Sequence, residues 1–183
     1  TAEFVRILRD KDSPALASVI AVCGRLNLHQ TVSGLGDTIV HTDPAVRLAS
    51  VQTLALLATP AALAGIEKAL GDDDRGVRLA AVRVVAARGY KGAQRRVESV
   101  VLGKGVKGMD LAEKMAFFEA YGAIAGAAGL KPMSAILLPR GLLRMKEASE
   151  TRACAAIALH PARKASHIST DNAIWNTSAA TRS

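Results

Sequence analysis

The sequence predicts an all-α fold, a right-handed α-solenoid of four to five stacked helix pairs. Three observations predict it. The first is a recurring segment: Asp43-Pro44-Ala45-Val46-Arg47-Leu48-Ala49-Ser50-Val51 returns as Asp74-Arg75-Gly76-Val77-Arg78-Leu79-Ala80-Ala81-Val82. Looser copies surround Lys114 and Arg152, and a weaker one surrounds Leu16. Taking Leu16, Arg47, Arg78, Lys114 and Arg152 as equivalent points, the spacings are 31, 31, 36 and 38 residues. Repetition at this period marks a stack in which each unit shields its neighbour's apolar side. The second observation is that apolar residues inside each copy keep helical spacing and sit among many alanines. The third is composition: half of the 183 residues are hydrophobic but only 3% are aromatic. A thin layer of small aliphatic side chains between stacked helices needs few rings.

Each copy opens on a helix start signal. Asp43, Asp74 and Asp110 are suited to N-caps, since a carboxylate accepts from the first free N–H groups and faces the positive end of the helix dipole. Pro44 follows at the first helical position, where its missing N–H costs nothing. Arg47, Arg78 and Lys114 each lie four residues after their aspartate, which predicts an acid–base pair on one helix face. Leu16 and Ala148 break that pattern in the first and last copies. Leu48, Val51, Leu54 and Ala55 carry the apolar side of one first helix, and Leu79, Val82, Val85 and Ala86 that of the next. A second helix follows each: 60–70 ends at Gly71, and 93–102 ends at Gly103. Residues 2–9 read as the second helix of a preceding pair, with Phe4, Val5 and Leu8 turned inward. Gly129 to Pro132 marks the end of one helix and the start of another, and Pro139 is predicted to kink or split the stretch 133–145. Copies start near residues 13, 43, 74, 110 and 148, giving a repeat domain over 1–160. After Leu159 the pattern stops at His160-Pro161, and 161–183 is a Ser/Thr/Asn-rich tail or cap with Ile168, Ile174 and Trp175 as its apolar anchors.

The segments Asp43-Pro44-x-Val46-Arg47-x-Ala49, Val77-Arg78-Leu79-Ala80-Ala81-Val82 and Thr151-Arg152-Ala153-Cys154-Ala155-Ala156-Ile157-Ala158-Leu159 resemble HEAT repeats, in particular short HEAT-like repeats related to those of phycobilisome lyases. The resemblance covers roughly residues 12–160. It implies an interaction scaffold and names no catalytic residue, because the shared positions are packing positions.

Charge is unevenly distributed. Residues 1–74 hold 6 Lys+Arg and 9 Asp+Glu, whereas 75–183 hold 18 and 7. Most of the excess lies in 75–107: Arg75, Arg78, Arg83, Arg88, Lys91, Arg95, Arg96, Lys104 and Lys107 against Glu98. A second cluster is Lys131, Arg140, Arg144 and Lys146. Such a stretch attracts acidic partners and can follow a phosphate backbone. The plain structural reading is a solvated face whose long stems cover aliphatic surface. From these residues Arg83, Arg88, Lys91, Arg95, Arg96, Lys104 and Lys107 form the candidate partner-binding set, on the face made by the second helices. The favoured function is a non-catalytic protein-interaction module of a longer bacterial protein, read from a chain that begins at Thr1. Its alternatives are nucleic-acid binding through 75–107 and a bilin lyase-like activity.

Catalytic and metal motifs are not found. His29, His41, His160 and His167 belong to no zinc spacing or His-Glu dipeptide, and His41 and His160 read as helix-end or solvent residues. Asp72, Asp73 and Asp74 lack the ligand spacing and later Glu of a calcium loop, and read as a turn followed by a cap. Glu113 and Glu119 do not share a helix face. Gly103-Lys104-Gly105-Val106-Lys107-Gly108 matches a phosphate-loop pattern but follows a helix, not a strand. Phe117 and Tyr121 read as a core contact. No cofactor is implied. The apolar run 48–66 is broken by Gln52, Thr53, Thr59, Pro60 and Gly65, which argues against a membrane span. Cys23 and Cys154 read as core residues in a reducing, cytoplasmic setting. Asn176-Thr177-Ser178 matches a glycosylation acceptor, but the chain carries no sign of secretion.

Overall fold

The computed structural model describes residues 2–103, 105–138 and 149–159. Lys104, the Pro139 kink, the second basic cluster beyond Lys131, His160 and the tail lie outside these residues. Every regular element among them is helical. Residues Thr1–Val97 and Glu98–Ser183 form two compact units.

In the first unit, α1 (Ala2–Arg9) packs on α2 (Leu16–Arg25) and α3 (Val32–Thr38). Next come α4 (Pro44–Leu57), α5 (Pro60–Lys68) and α6 (Arg75–Arg88). Helix α7 (Gln94–Val101) starts here and ends in the second unit. Helix α4 touches α2 and α6 on one side and α3 and α5 on the other. The first helices α2, α4 and α6 therefore make one layer, and the second helices α1, α3 and α5 another. The anticipated pairs are 2–3, 4–5 and 6–7, with α1 as the leftover second helix. Leu8 is buried, while Phe4 and Val5 are half-buried.

The predicted caps form. Asp43 accepts from Ala45 N (2.8 Å), Asp74 from Val77 N (3.0 Å) and Asp110 from Glu113 N (2.9 Å). Thr59 caps α5 by accepting from Ala62 N at 3.1 Å, with Pro60 at the first helical position. Helix α2 begins at Leu16 without a side-chain cap. The turn after each first helix passes through one residue of positive φ, left-handed helical at Ala58 and Gly89. Asn27 (φ 52°), Ala58 (φ 49°), Gly89 (φ 56°) and Gly126 (φ 52°) occupy this place in four successive copies.

Between the layers lies an aliphatic core of Ile20, Leu35, Val51, Leu54, Ile66, Val77, Val82 and Val85, all fully buried. Three hydroxyls are buried within it. Thr38 Oγ1 and Ser50 Oγ are 2.6 Å apart and lie 2.9 and 2.7 Å from the carbonyls of Leu35 and Val46 in their own helices, so one hydroxyl donates to the other, which donates to its carbonyl. Thr53 Oγ1 donates to Ile20 O at 3.2 Å and so ties α4 to α2. No buried side-chain polar atom among the described residues lacks a partner.

The second unit holds α8 (Leu111–Ala125), α9 (Leu130–Leu137) and a helix over 149–159, here α10. Helix α9 starts two residues before Pro132, so the proline sits in its first turn, where no hydrogen bond is lost. Phe117, Phe118 and Tyr121 are buried together on α8, as a core rather than a stacking platform. Helix α10 approaches so closely at Gly122 that a Cβ there would overlap the Ala158 carbonyl oxygen.

Candidate partner-binding surface

The acid–base residues that open each repeat fix how the repeats join. The Asp43–Arg47 and Asp110–Lys114 pairs anticipated within single helices are corrected by the structure. Arg47 instead reaches the next repeat, with Nε on Asp72 Oδ2 and Nη2 on Asp72 Oδ1, both at 2.7 Å. Its Nη1 donates to the carbonyls of His41 and Thr42 (2.8 and 3.0 Å). Arg78 repeats this pattern on the carbonyls of Asp72 and Asp73 (2.7 and 2.9 Å). In the second unit, Lys114 pairs with Glu150 of α10 at 3.0 Å. The aspartate at each helix start accepts from the backbone N–H groups it caps, while the cation four residues on turns to the loop before its helix (Arg47, Arg78) or to the next repeat (Arg47 on Asp72, Lys114 on Glu150).

Asp72 is the centre of this arrangement, with its side chain only 8% exposed. Burial pushes its carboxyl up. The two hydrogen bonds from Arg47, the Asp74 N–H and the charge of Arg78 outweigh burial and hold it below the usual carboxylate range. The same hydrogen bonds hold the Arg47 guanidinium above its ordinary value. The run 72–74 is thus a turn and a cap, as anticipated, and also the acceptor of an inter-repeat lock.

The structure does not gather the candidate basic residues on one face. Arg83 is exposed on the outer side of α6, in the first-helix layer. Arg88 closes α6, and its Nη2 donates back to Ala55 O of α4 at 3.2 Å. Lys91 is exposed in the short turn Lys91–Ala93. Arg95 and Arg96 are exposed on α7, on the second-helix side. Arg96 Nη1 donates to the carbonyls of Glu67 and Lys68, both at 3.1 Å, and so neutralises the carbonyl end of α5. Lys107 is exposed in the turn Gly105–Gly108 of the second unit. Lys91, Arg95 and Arg96 thus share the second-helix side of the first unit. They are joined there by Lys68, exposed at the end of α5, which the sequence set did not include. The signal that could have found Lys68 is its place in the last turn of the preceding second helix, beside the next pair in any such stack.

Tyr90 also sits at this edge, half-buried. Its ring lies on Gly92, where any Cβ would collide with it.

Among the described residues, no group of three or more His, Cys, Asp or Glu is placed to hold a metal ion. Cys23 and Cys154 are free thiols in the core. Burial pushes the Cys154 thiol up, with the charge of Lys114 pulling the other way. Burial likewise raises the Tyr121 phenol, helped by Glu98. No described helix is long and apolar enough to cross a membrane.

Antiparallel helix pairs in two layers, tied repeat to repeat by side chains that bridge successive loops, define an α-helical repeat protein. Residues 1–98 match the HEAT repeats, more than half of the chain, and the chain belongs to the HEAT-repeat family. No curated protein matches it.

Proposed function

We propose that the chain is a protein-interaction scaffold without a catalytic residue of its own. It captures an acidic segment of a partner on the second-helix side of the first unit. The observation that supports this best is the grouping of Lys68, Lys91, Arg95 and Arg96 on that side, exposed and drawn from two successive repeats. HEAT repeats are interaction modules in general, and cations on a rigid helical surface select acidic partners through steering and like-charge rejection.

The test is capture of partner from an extract by the immobilised chain, comparing wild type with Lys91→Glu/Arg95→Glu. Arg96 is left intact because its guanidinium caps α5. Capture is expected to fall at least about tenfold, a loss of roughly 1.4 kcal/mol, with circular dichroism unchanged. Undiminished capture removes the site assignment. Tight binding of a DNA or RNA oligonucleotide with a steep salt dependence would move the reading to nucleic acid.

A further inference from the structure

The loops that open the first three repeats are built alike, with one exception. In each, a side chain accepts the N–H of the residue two places on: Asp10 from Asp12 (3.3 Å), His41 from the cap residue Asp43 (3.0 Å) and Asp72 from the cap residue Asp74 (2.8 Å); Asp12 holds the same place in the repeat but does not cap α2. In the second and third loops, an arginine also covers the carbonyls, Arg47 on His41 and Thr42, Arg78 on Asp72 and Asp73. In the first loop that arginine is replaced by Leu16. The Lys11 carbonyl is met instead by His41 Nε2, from the next loop, at 3.0 Å. One imidazole thus does at the first junction what an arginine–carboxylate pair does at the second.

The two contacts fix the tautomer. Nδ1 accepts the Asp43 N–H, so it carries no proton, and Nε2–H donates to the Lys11 carbonyl. We propose that His41 makes the junction between the first and second repeats an acid-sensitive joint, closed by the neutral ring and loosened when the ring gains its second proton. A proton on Nδ1 sets an N–H against the Asp43 N–H, and the ring must turn away from one partner. The charged groups nearest the ring already have partners of their own. Asp10 accepts the Asp12 N–H, Asp43 accepts the Ala45 N–H, and Arg47 is engaged with Asp72. The cations on these segments are Lys11 and Arg47, the latter on the ring's own carbonyl. Asp12 and Asp37, at the first loop and on α3, are exposed to solvent. The second junction has no such dependence in the same window, since its partners are an arginine and a carboxylate.

The experiment is nuclear magnetic resonance on the whole 183-residue chain at about pH 7.5 and about pH 5, the range over which histidines change charge. A through-hydrogen-bond nitrogen–nitrogen coupling between the Asp43 amide and His41 Nδ1 is expected at the higher pH and lost at the lower. Amide exchange in α1–α3, corrected for intrinsic rate, is expected to speed up about fivefold, the effect of one hydrogen bond, while α6 is unchanged. Leu16→Arg/His41→Asp, which rebuilds the second junction's chemistry at the first, should abolish the response. A coupling that persists at the lower pH, a protonated Nδ1 at the higher, or coupling loss with no change in exchange overturns the proposal. Equal acceleration in His41→Gln also overturns it, and the wild-type coupling stands as evidence whether or not that variant folds.

Discussion

Single residues set the turns and caps of this chain, and one of them is in an unfavourable conformation. Ala58 has φ 49°, at a position where the neighbouring copies carry Asn27, Gly89 and Gly126. A Cβ in the left-handed region costs roughly 1–2 kcal/mol. Glycine removes that cost but adds freedom to the unfolded chain. Ala58→Gly is therefore expected to stabilise the protein by about 0.5 kcal/mol, seen as a raised midpoint in thermal or urea unfolding. A lowered midpoint would mean that this turn does not strain its alanine. The aspartate caps were legible in the sequence because a cap needs only local geometry. The recurring left-handed turn was legible in principle, since Asn27 and Gly89 stand one repeat either side of Ala58. Alanine hides the signal by lacking any turn preference of its own.

At the scale of elements, helix pairs form because each helix buries one apolar stripe and cannot do so alone. The small residues set how closely they approach. Gly122 on α8 receives the Ala158 carbonyl of α10 with no room for a side chain. Gly122→Ala must push α10 away and is expected to destabilise the second unit by about 1–3 kcal/mol. Hydrogen exchange should show the loss in 111–125 and 149–159 and leave α2–α6 unaffected; uniform loss across both units would contradict this. The sequence places Gly122 in a helix pattern, where glycine merely looks unfavourable. Only the neighbouring helix shows why it is there. Val51 and Leu54 of α4 and Leu79, Val82 and Val85 of α6 were readable from spacing, whereas the anticipated Leu48, Ala55 and Ala86 are half-buried and the buried Ser50 and Thr53 were not readable. Their polarity reads as surface until helices α3 and α2 supply the partners Thr38 and the Ile20 carbonyl.

Over the whole molecule, stability is a chain of nearest-neighbour junctions, and the Arg47–Asp72 lock makes one of them depend on pH. The Asp72 carboxyl lies below its ordinary value in the folded state. A group depressed in this way stabilises the fold above its unfolded pKa of about 3.9, and the contribution is lost as pH falls through the folded value. Asp72→Asn is expected to cost about 2 kcal/mol near neutrality, the worth of a hydrogen bond to a charged group. It should also flatten the loss of stability on acidification below about pH 4. Urea unfolding at several pH values measures both, and an unchanged acid slope would remove Asp72 as its source. The uneven charge of the two halves was plain in the sequence, yet it did not define a surface. Folding sends Arg83 to the outer side of the first-helix layer and sets Arg95 on the second-helix side with Lys68 from another repeat.

The sequence alone determined the all-α class and the caps at Asp43, Asp74 and Asp110. Each of these follows from interactions within a few residues or from strict recurrence. Tertiary structure alone decided the partner of every bridging cation. Arg47 is four residues from Asp43 in the chain, but the helix dipole and free N–H groups hold Asp43, and stacking brings Asp72 within reach of the same guanidinium. Contacts between repeats depend on how neighbouring loops align in space, and no local spacing encodes that.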